Sequence, residues 1–374
     1  MRENNKTLVI LTPAFPENES ATYWVPSQQL MVKSLKENFP GLNIIVLSIL
    51  YPYHTSTYKW NCVQVISFDG THKLKLKRLI LWRNIWQTLK TIHRQHTVIG
   101  LFSFWCGECA FIGKYFGKRY SIKHFIWICG QDARKTNRWI QFIRPKENEL
   151  AAMSALLVNE FYKNHRIKPA YLIPNAIDIN SFPPLPKAER NIDILAVGSF
   201  EPLKQYDVFA SIIATLTKTF PGIKAFHCGI GREKEKVEGH IKKLGIENNL
   251  KLLGGKLHQE ILGMMQQTKI FLHTSSYEGF STVCLEALYA GAHVISFCYP
   301  LDHEVPHWHV VKTKEEMVTK ATAILQYPYY NYEPVLLYSM DDSAKAVMQL
   351  FLNDELQNEL AEQKTSSVLP SNAG

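Results

Sequence analysis

The sequence lacks the features that mark membrane-spanning, secreted and redox proteins. No apolar run reaches the ~18 residues that a membrane-spanning helix needs, and residues 1–6 contain no apolar core of a signal peptide. The seven cysteines are an odd number without the spacing of a disulfide framework. Cys106 and Cys109 have the spacing of a redox pair, but the rest of a thioredoxin-like pattern is missing. We therefore expect reduced thiols in a cytoplasmic protein.

Two further absences narrow the class of protein. No Gly-x-Gly-x-x-Gly motif follows the first apolar run, 7–12, which disfavours a dinucleotide-binding oxidoreductase. No aspartate pair follows a predicted strand, so we expect no metal site; Asp341 and Asp342 adjoin a predicted helix start and fit a cap. The composition, 46% hydrophobic and 20% charged over 374 residues, is that of a globular protein with two domains. The net charge of +9 favours anionic partners such as nucleotide diphosphates, anionic lipid or nucleic acid.

Acidic residues are also absent from 71–98, where basic residues accumulate. They are Lys73, Lys75, Lys77, Arg78, Arg83, Lys90 and Arg94. Trp82 and Trp86 fall at helical spacing beside them. The pattern fits either a domain helix with a solvated basic face or an interfacial helix on the inner face of an anionic membrane, with the tryptophans at headgroup depth. Nucleic acid is disfavoured as a partner, because no recognition fold accompanies the patch.

Apolar runs and helix-like segments alternate along the chain. The predicted strands are 7–12, 43–49, 100–104, 124–128, 156–159, 193–197, 224–228, 250–253, 270–273 and 294–297. The predicted helices include 26–38, 108–120, 233–244, 314–325 and 340–352. This alternation predicts an α/β fold with parallel sheets. Turn-rich residues from Pro174 to Pro184 predict a hinge, which gives a first domain at 1–173, a second at 174–352 and a tail at 353–374.

The stretch from 270 to 297 combines an apolar run, a loop, a helix and a second apolar run. Ser281 or Thr282 can cap the helix, and Gly291 ends it. In an open α/β sheet such a loop lies at the carboxyl edge of the strands, where ligands bind, and the helix directs its first amides at that edge. The stretch therefore predicts a site for an anion.

Two carboxylates frame this loop. Glu278 lies within it, and Glu286 lies one helical turn beyond Thr282 on the same face. A carboxylate accepts two hydrogen bonds well, which suits the vicinal hydroxyls of a ribose or a hexose. Phosphate at the first amides of the helix, with sugars at the two glutamates, describes a sugar nucleotide. The amides concerned belong to Gly279, Phe280, Ser281 and Thr282.

The segment Glu278-Gly-Phe-Ser-Thr-Val-Cys-Leu-Glu286, with seven residues between its glutamates, resembles the donor motif of the family 4 retaining glycosyltransferases. The resemblance implies the GT-B architecture: two Rossmann-like α/β domains whose parallel sheets face a central cleft, with a last helix that crosses back. It implies transfer of a sugar from a UDP- or GDP-linked donor to a glycan or lipid-linked acceptor, with retention of anomeric configuration. No cofactor or metal would be needed, and cell-envelope polysaccharide synthesis would be the setting.

The resemblance also carries over individual residues. On the second domain it implies further donor contacts at Ser199, Lys204, Arg232, Gly254 and Lys256. On the first domain it implies a loop beside the donor sugar, with Cys129 where the family has histidine, and candidates at Phe15, Gly130, Asp132 and Arg134. Lys204, Glu278 and Asp132 are the catalytic candidates, with Lys204 as the clamp on the diphosphate.

Three other interpretations stay open. A relative that binds a sugar nucleotide without transfer fits the departures at Cys129 and Ser199. A phosphorolytic or hydrolytic enzyme of the same architecture is also compatible with the motif. A basic module for a membrane surface or nucleic acid leaves the glutamate loop unexplained. The donor sugar, the nucleobase, the acceptor and the oligomeric state are beyond the sequence.

Overall fold

The structure, a computed structural model, describes residues 3–22, 25–71, 75–184, 190–327 and 331–352. Lys73 of the basic stretch and the predicted tail at 353–374 lie outside these residues. The chain divides into two units: the first holds the residues up to Asn175 and those from Met340 onward, and the second holds Ala176–Ser339. Among the helices of the described part, none combines the length and the apolar character that crossing a bilayer requires.

In the described part of the first unit, eight strands form a sheet in the order β3-β4-β2-β1-β5-β6-β7-β8. They are β1 (Glu3–Ala14), β2 (Asn43–Tyr51), β3 (Thr55–Trp60), β4 (Val63–Phe68), β5 (His96–Phe104), β6 (His124–Ile128), β7 (Leu150–Ala152) and β8 (Tyr171–Leu172). Neighbouring strands are parallel except at the edge, where β3 is antiparallel to β4. Its helices before the hinge are α1 (Pro26–Asn38), α2 (Lys75–Gln95), α3 (Glu108–Tyr120), α4 (Trp139–Ile143) and α5 (Ala155–His165).

The described part of the second unit holds a parallel sheet in the order β11-β10-β9-β12-β13-β14. Its strands are β9 (Ile192–Val197), β10 (Ala225–Cys228), β11 (Leu250–Leu252), β12 (Thr268–His273), β13 (His293–Ser296) and β14 (Trp308–Val310). The helices are α6 (Tyr206–Leu216), α7 (Lys234–Leu244), α8 (His258–Gln266), α9 (Thr282–Tyr289) and α10 (Lys314–Gln326). The strand order reverses between β9 and β12, so the loops after these strands lie side by side at the carboxyl edge, where ligands bind in such sheets.

The last described helix, α11 (Met340–Phe351), belongs to the first unit. Asp341 Oδ1 accepts hydrogen bonds from Ser34 Oγ and Asn38 Nδ2 of α1, both at 2.7 Å. The Phe351 ring lies so close to β5 that a Cβ on Gly100 would fall 2.1 Å from it. The predicted domain bounds are therefore corrected: 340–352 leaves the second domain, and the boundary lies after Asn175. Asp341 ties two helices together and does not act as the predicted cap.

One predicted strand is wrong. Residues 156–159 lie inside α5, and the strand at this point of the chain is β7. The Ser154 hydroxyl accepts a hydrogen bond from the Leu157 amide at 3.2 Å, which caps the helix start. A short apolar run does not by itself distinguish a buried strand from a buried helix face. The hairpin of β3 and β4 was not predicted either, since its turn is Asn61-Cys62, with φ of 45° and 61°, and not Asn-Gly.

The tryptophans of α2 pack against the first unit. Trp82 Nε1 and the Arg78 guanidinium both donate to the Glu108 carboxylate of α3. The ring of Trp86 lies edge-to-face on Phe116, with 5.0 Å between centroids. Both side chains are half-buried, which leaves the partial exposure that the membrane hypothesis expects, and membrane contact stays a prediction.

Candidate donor site

Two loops of the second unit are hydrogen-bonded to each other at the carboxyl edge of the sheet. The loop after β9 contains the 3-10 turn Pro202–Lys204. Thr274 Oγ1, in the loop after β12, donates to the Lys204 carbonyl at 2.8 Å, and the Ser276 amide donates to the Leu203 carbonyl at 2.9 Å. These bonds hold the Lys204 side chain beside the loop that carries Glu278.

Lys204, Glu278 and His273 form a partly buried charged cluster. Lys204 Nζ makes an ion pair with Glu278 Oε1. His273 Nε2, at the end of β12, lies 3.3 Å from the same oxygen and within 3.3 Å of the Ser275 and Ser281 hydroxyls. The side chains of Lys204, Glu278 and His273 are 20%, 18% and 5% exposed, so little water screens their charges. Lys204 and Glu278 were both predicted; His273 was missed, because one histidine at a strand end forms no pattern.

The surroundings favour the charged forms of His273 and Glu278 near neutral pH. Burial opposes the charge on His273, but Cys284 and then Glu278 outweigh burial and raise its pKa to about 9. Burial likewise favours protonation of Glu278, yet the hydrogen bond from His273 and the charge of Lys204 lower its pKa to about 2. The cluster therefore carries two cations around one carboxylate, a net positive charge suited to an anionic ligand.

This cluster should make stability depend on pH. Folding raises the pKa of His273 from 6.5 to about 9. Its contribution to the free energy of unfolding is therefore complete below about pH 6.5 and is lost as the pH rises through about 9. The pKa of Glu278 falls from 4.5 to about 2, so its contribution is complete above about pH 4.5 and is lost as pH falls through about 2. We expect His273→Gln to lower the melting temperature at about pH 7 and to match the parent at about pH 10. Thermal unfolding at both pH values checks this, and a gap of constant size would contradict it.

The second predicted glutamate, Glu286, is almost fully buried in α9, with 4% of its surface exposed. Its Oε1 lies 2.7 Å from Nε2 of His258, the first residue of α8. His258 is a further residue that the sequence did not reveal. A buried carboxylate held by a half-exposed imidazole is a fixed acceptor at this edge of the sheet.

The start of α9 differs from the prediction in one respect. Ser281 occupies the N-cap position, but its hydroxyl lies 3.3 Å from His273 Nε2 and makes no cap hydrogen bond. Phe280 is buried and packs edge-to-face on Tyr338, with 5.8 Å between centroids. Gly291, with φ of 83°, follows the helix end as predicted. Ser281 therefore connects the helix start to the charged cluster.

The other predicted donor side chains lie in neighbouring loops. Arg232, after β10, pairs with Glu201 at 2.7 Å and is 73% exposed. Lys256, after β11, lies 3.5 Å from Glu260, and Ser199 is exposed after β9. Each cation pairs with a carboxylate at the surface, and such exposed ion pairs contribute little to the stability of the fold. These residues lie at the predicted edge, but within the described ranges no ion pair joins either cation to the cluster of Lys204 and Glu278.

Glycines allow the turns after β9, β10 and β11 to pack closely. A Cβ on Gly229, whose φ is 155°, would fall 1.9 Å from the Gly198 carbonyl oxygen. The Gly229 amide donates to the carbonyl of Gly254 at 2.8 Å. Gly254 has φ of 72°, a conformation that favours glycine. Main-chain groups therefore form this part of the edge.

In the first unit, Asp132 is bound by main-chain amides. Its carboxylate accepts from the amides of Cys106 at 2.8 Å, Cys129 at 3.2 Å and Gly130 at 2.7 Å. Burial raises the pKa of Asp132 to about 6, although these amides oppose the change. The carboxylate thus connects the loops after β5 and β6. Arg134, in the same segment, is half-buried.

Phe15 is not available to an acceptor. The side chain is completely buried, and its ring lies edge-to-face on Trp60 with 4.9 Å between centroids. Its predicted role beside the acceptor is therefore wrong, because Phe15 is part of the core of the first unit. Across the described ranges, no group of three or more histidine, cysteine, aspartate or glutamate side chains is arranged to hold a metal ion.

A comparison with known protein families matches most of the second unit. Residues 178–309 match the family glycosyl transferases group 1. Lys204, Glu278 and Glu286 all lie within the matched residues. The predicted resemblance to glycosyltransferases is confirmed by this match.

A curated relative and two solved structures extend the comparison. One subunit of the human phosphatidylinositol N-acetylglucosaminyltransferase is 29% identical over 126 residues, which is 33% of this chain and only 26% of that relative. Sucrose-phosphate synthase from Thermosynechococcus elongatus aligns over 96% of this chain and 98% of its own, with a TM-score of 0.65 and 14% identity. Anabaena HepE, in complex with UDP and glucose, aligns over 97% and 100%, with a TM-score of 0.63 and 14% identity. The predicted GT-B fold, with two parallel-sheet α/β domains, is confirmed.

Proposed function

We propose that this protein transfers a sugar from a nucleotide diphosphate sugar to an acceptor, with retention of anomeric configuration. The observation that carries the proposal is the charged cluster of Lys204, His273 and Glu278 beside the start of α9. It lies where the strand order reverses, the usual ligand position in such a sheet. Buried Glu286 supplies the second carboxylate that a sugar nucleotide requires.

The cluster suggests how the leaving group is stabilised. Breaking the bond between sugar and diphosphate increases the negative charge on the phosphate, and a fixed cation stabilises that charge without reorganisation. Lys204 is that cation, and a bound phosphate would compete with Glu278 for its ammonium group. Glu278 would then be free to accept hydrogen bonds from sugar hydroxyls, and Glu286 would accept those of the ribose.

We propose retention because the sequence resembles the family 4 retaining glycosyltransferases. In that mechanism the leaving phosphate itself takes the proton of the acceptor hydroxyl, so no separate protein base is required. The contacts of Asp132 support this assignment, because three amides already bind its carboxylate. We therefore propose that Asp132 positions loops of the first unit and is not the base.

The donor is best sought among UDP-linked hexoses. The solved HepE structure contains UDP and glucose, and the name of the human relative specifies N-acetylglucosaminyl transfer. A nucleotide sugar that binds only the folded protein must raise its melting temperature. Thermal shift with UDP- and GDP-linked sugars, followed by NMR of the product, tests the function. Binding without transfer to any of a broad panel of glycan acceptors would identify a silent relative instead, and an inverted product would exclude retention.

Transfer should need no divalent metal. The ammonium of Lys204 and the first amides of α9 can hold the diphosphate charge that a metal holds in other transferases. We expect the same initial rate in excess chelator as in buffer with added magnesium or manganese. A rate that disappears with chelator and returns with either metal would contradict this prediction.

Contact with an anionic membrane is proposed through the start of α2. Its exposed apolar side chains are Leu79 and Ile80, at 58% and 59%, beside exposed Lys77 and Arg83. Each basic residue near such a surface contributes roughly 1 kcal/mol, so binding should weaken as salt rises. Sedimentation with anionic vesicles should show salt-sensitive binding that Leu79→Ser with Ile80→Ser reduces and Leu336→Ser does not. Equal sedimentation of all three proteins would contradict the proposal.

A further inference from the structure

Two adjoining cavities lie along α3 in the first unit. One, of about 640 Å³, is lined by residues of α3, β6 and the segment after α4. The other, of about 680 Å³, is lined by residues of α2 and α3. They share Tyr115 and Lys118, so they meet on one turn of α3. Both are open to solvent, and we call the combined surface depression the α3 groove.

The α3 groove is strongly basic. Six of its cationic side chains are Lys90, Lys118, Arg119, Lys123, Arg144 and Lys146. Glu149 is the carboxylate among the lining residues, and it is already occupied: it pairs with Lys114 and accepts from the Lys146 amide at 2.7 Å. The positive charge of the groove is therefore not neutralised by the residues that line it, which favours an anionic occupant.

Aromatic side chains accompany the cations. Tyr115 is 44% exposed, and its hydroxyl donates to the Phe142 carbonyl at 3.0 Å, which fixes the ring. Trp86 and Tyr120 line the other half, where the Arg119 guanidinium lies 5.4 Å from the centroid of the Tyr120 ring. The exposed Tyr115 ring offers flat apolar area to the C–H faces of a sugar ring, which a site for inorganic anions alone does not require.

The end of α4 forms one wall of the groove. Arg144 ends the helix in the left-handed conformation, with φ of 48°, and its amide donates to the Ile140 carbonyl at 2.9 Å. This helix end places the Arg144 cation at the groove, just before Pro145.

The groove is separate from the Asp132 loop. His124 lines the groove at the amino end of β6, whereas the Asp132 loop follows the carboxyl end, roughly 15 Å farther along a five-residue strand and its turn. Burial, and then Lys114, lower the pKa of His124 to about 3, so His124 adds no charge near neutral pH. Lysine and arginine side chains therefore supply the positive charge of the groove.

We propose that the α3 groove binds an anionic saccharide chain, with the cations on its phosphate, carboxylate or sulfate groups and the aromatic rings on its sugars. The saccharide part rests on the proposed glycosyl transfer, for which such a chain would be the acceptor. The groove would then hold the chain at a distance from the reacting hydroxyl, and acceptors with anionic repeats would be preferred over neutral ones.

The test uses the full chain and a fluorescently labelled, heparin-derived hexasaccharide as the probe. The Lys118→Glu, Arg144→Glu double variant reverses two groove charges, and the Lys218→Glu, Lys251→Glu variant makes the same charge change at exposed sites of the second unit. By fluorescence anisotropy at low salt we expect the groove variant to lose affinity by about tenfold or more, and the control to bind like the parent. Neutral maltohexaose should not compete.

Three outcomes would overturn the proposal. One is equal loss of affinity in both variants, which would show a general effect of net charge. Another is competition by polyphosphate, single-stranded DNA or phosphoinositide vesicles but not by unlabelled hexasaccharide. The third is an unchanged affinity in the groove variant. The nucleotide sugar should raise the melting temperature by the same amount in all variants. A result against saccharide binding in the groove is therefore distinguishable from a result against donor binding in the second unit.

Discussion

Lys204→Ala should lower turnover at saturating donor by ~10²–10³, the usual cost of removing a group that stabilises developing charge. The structure makes this expectation specific, because Lys204 is held beside Glu278 by hydrogen bonds between two loops. A cation that interacts more strongly with the leaving phosphate than with the intact donor changes turnover more than binding. Steady-state kinetics with a donor titration measures the two effects separately.

The matched control is Lys218→Ala, which removes an exposed lysine beyond α6 in the same unit. It should transfer sugar at the parent rate. Calorimetry should show that Lys204→Ala still binds the donor within about tenfold of the parent. A parent rate in purified Lys204→Ala would refute the assigned role, and an equal loss of binding and turnover would make Lys204 a general binding residue.

Glu286→Ala should chiefly weaken donor binding, by about ten- to a hundredfold, since hydrogen bonds to a charged group contribute about 1.5–3 kcal/mol. The carboxylate is buried and held at 2.7 Å from His258, so it is ordered before the donor arrives. Its proposed partner, the ribose, gains no charge during the reaction, so turnover at saturating donor should change little. Isothermal titration with the donor nucleotide measures the loss directly.

Two variants separate the role of Glu286 from its effect on folding. Glu286→Gln keeps an acceptor at the site and should recover part of the affinity. His258→Asn removes the imidazole but leaves the carboxylate, and should weaken donor binding less than Glu286→Ala. If Glu286→Ala binds the nucleotide like the parent, or if its turnover falls while its affinity stays constant, the ribose assignment is wrong.

Much of the fold followed from local signals in the sequence. Helices α1 and α3 and strand β6 have the predicted bounds, because Pro26 fits a first helical position and the apolar run of β6 is bounded by polar residues. The position of Lys204 and Glu278 at one sheet edge was also predictable, since the ends of parallel strands share that edge. Their direct ion pair was not predictable, because it depends on hydrogen bonds between loops.

Other features of the two units depend on tertiary contacts. His273 and His258 are single histidines whose partners lie 5 and 28 positions away, so no local motif marks them. Phe15 follows the first strand in a loop-like segment, but packing on Trp60 of β3 buries it. Asp132 matches a family motif, yet only the structure shows that main-chain amides surround its carboxylate.

The return of α11 to the first unit has a consequence for biosynthesis. The second unit is one continuous segment, Ala176–Ser339, and can fold while the chain is still being made. The core of the first unit is complete only after Phe351 has been synthesised, because the Phe351 ring covers Gly100 on β5. A ribosome that stops after residue 339 would therefore hold a chain whose second unit is folded and whose first unit has an open core. Such a nascent chain is a natural substrate for chaperones.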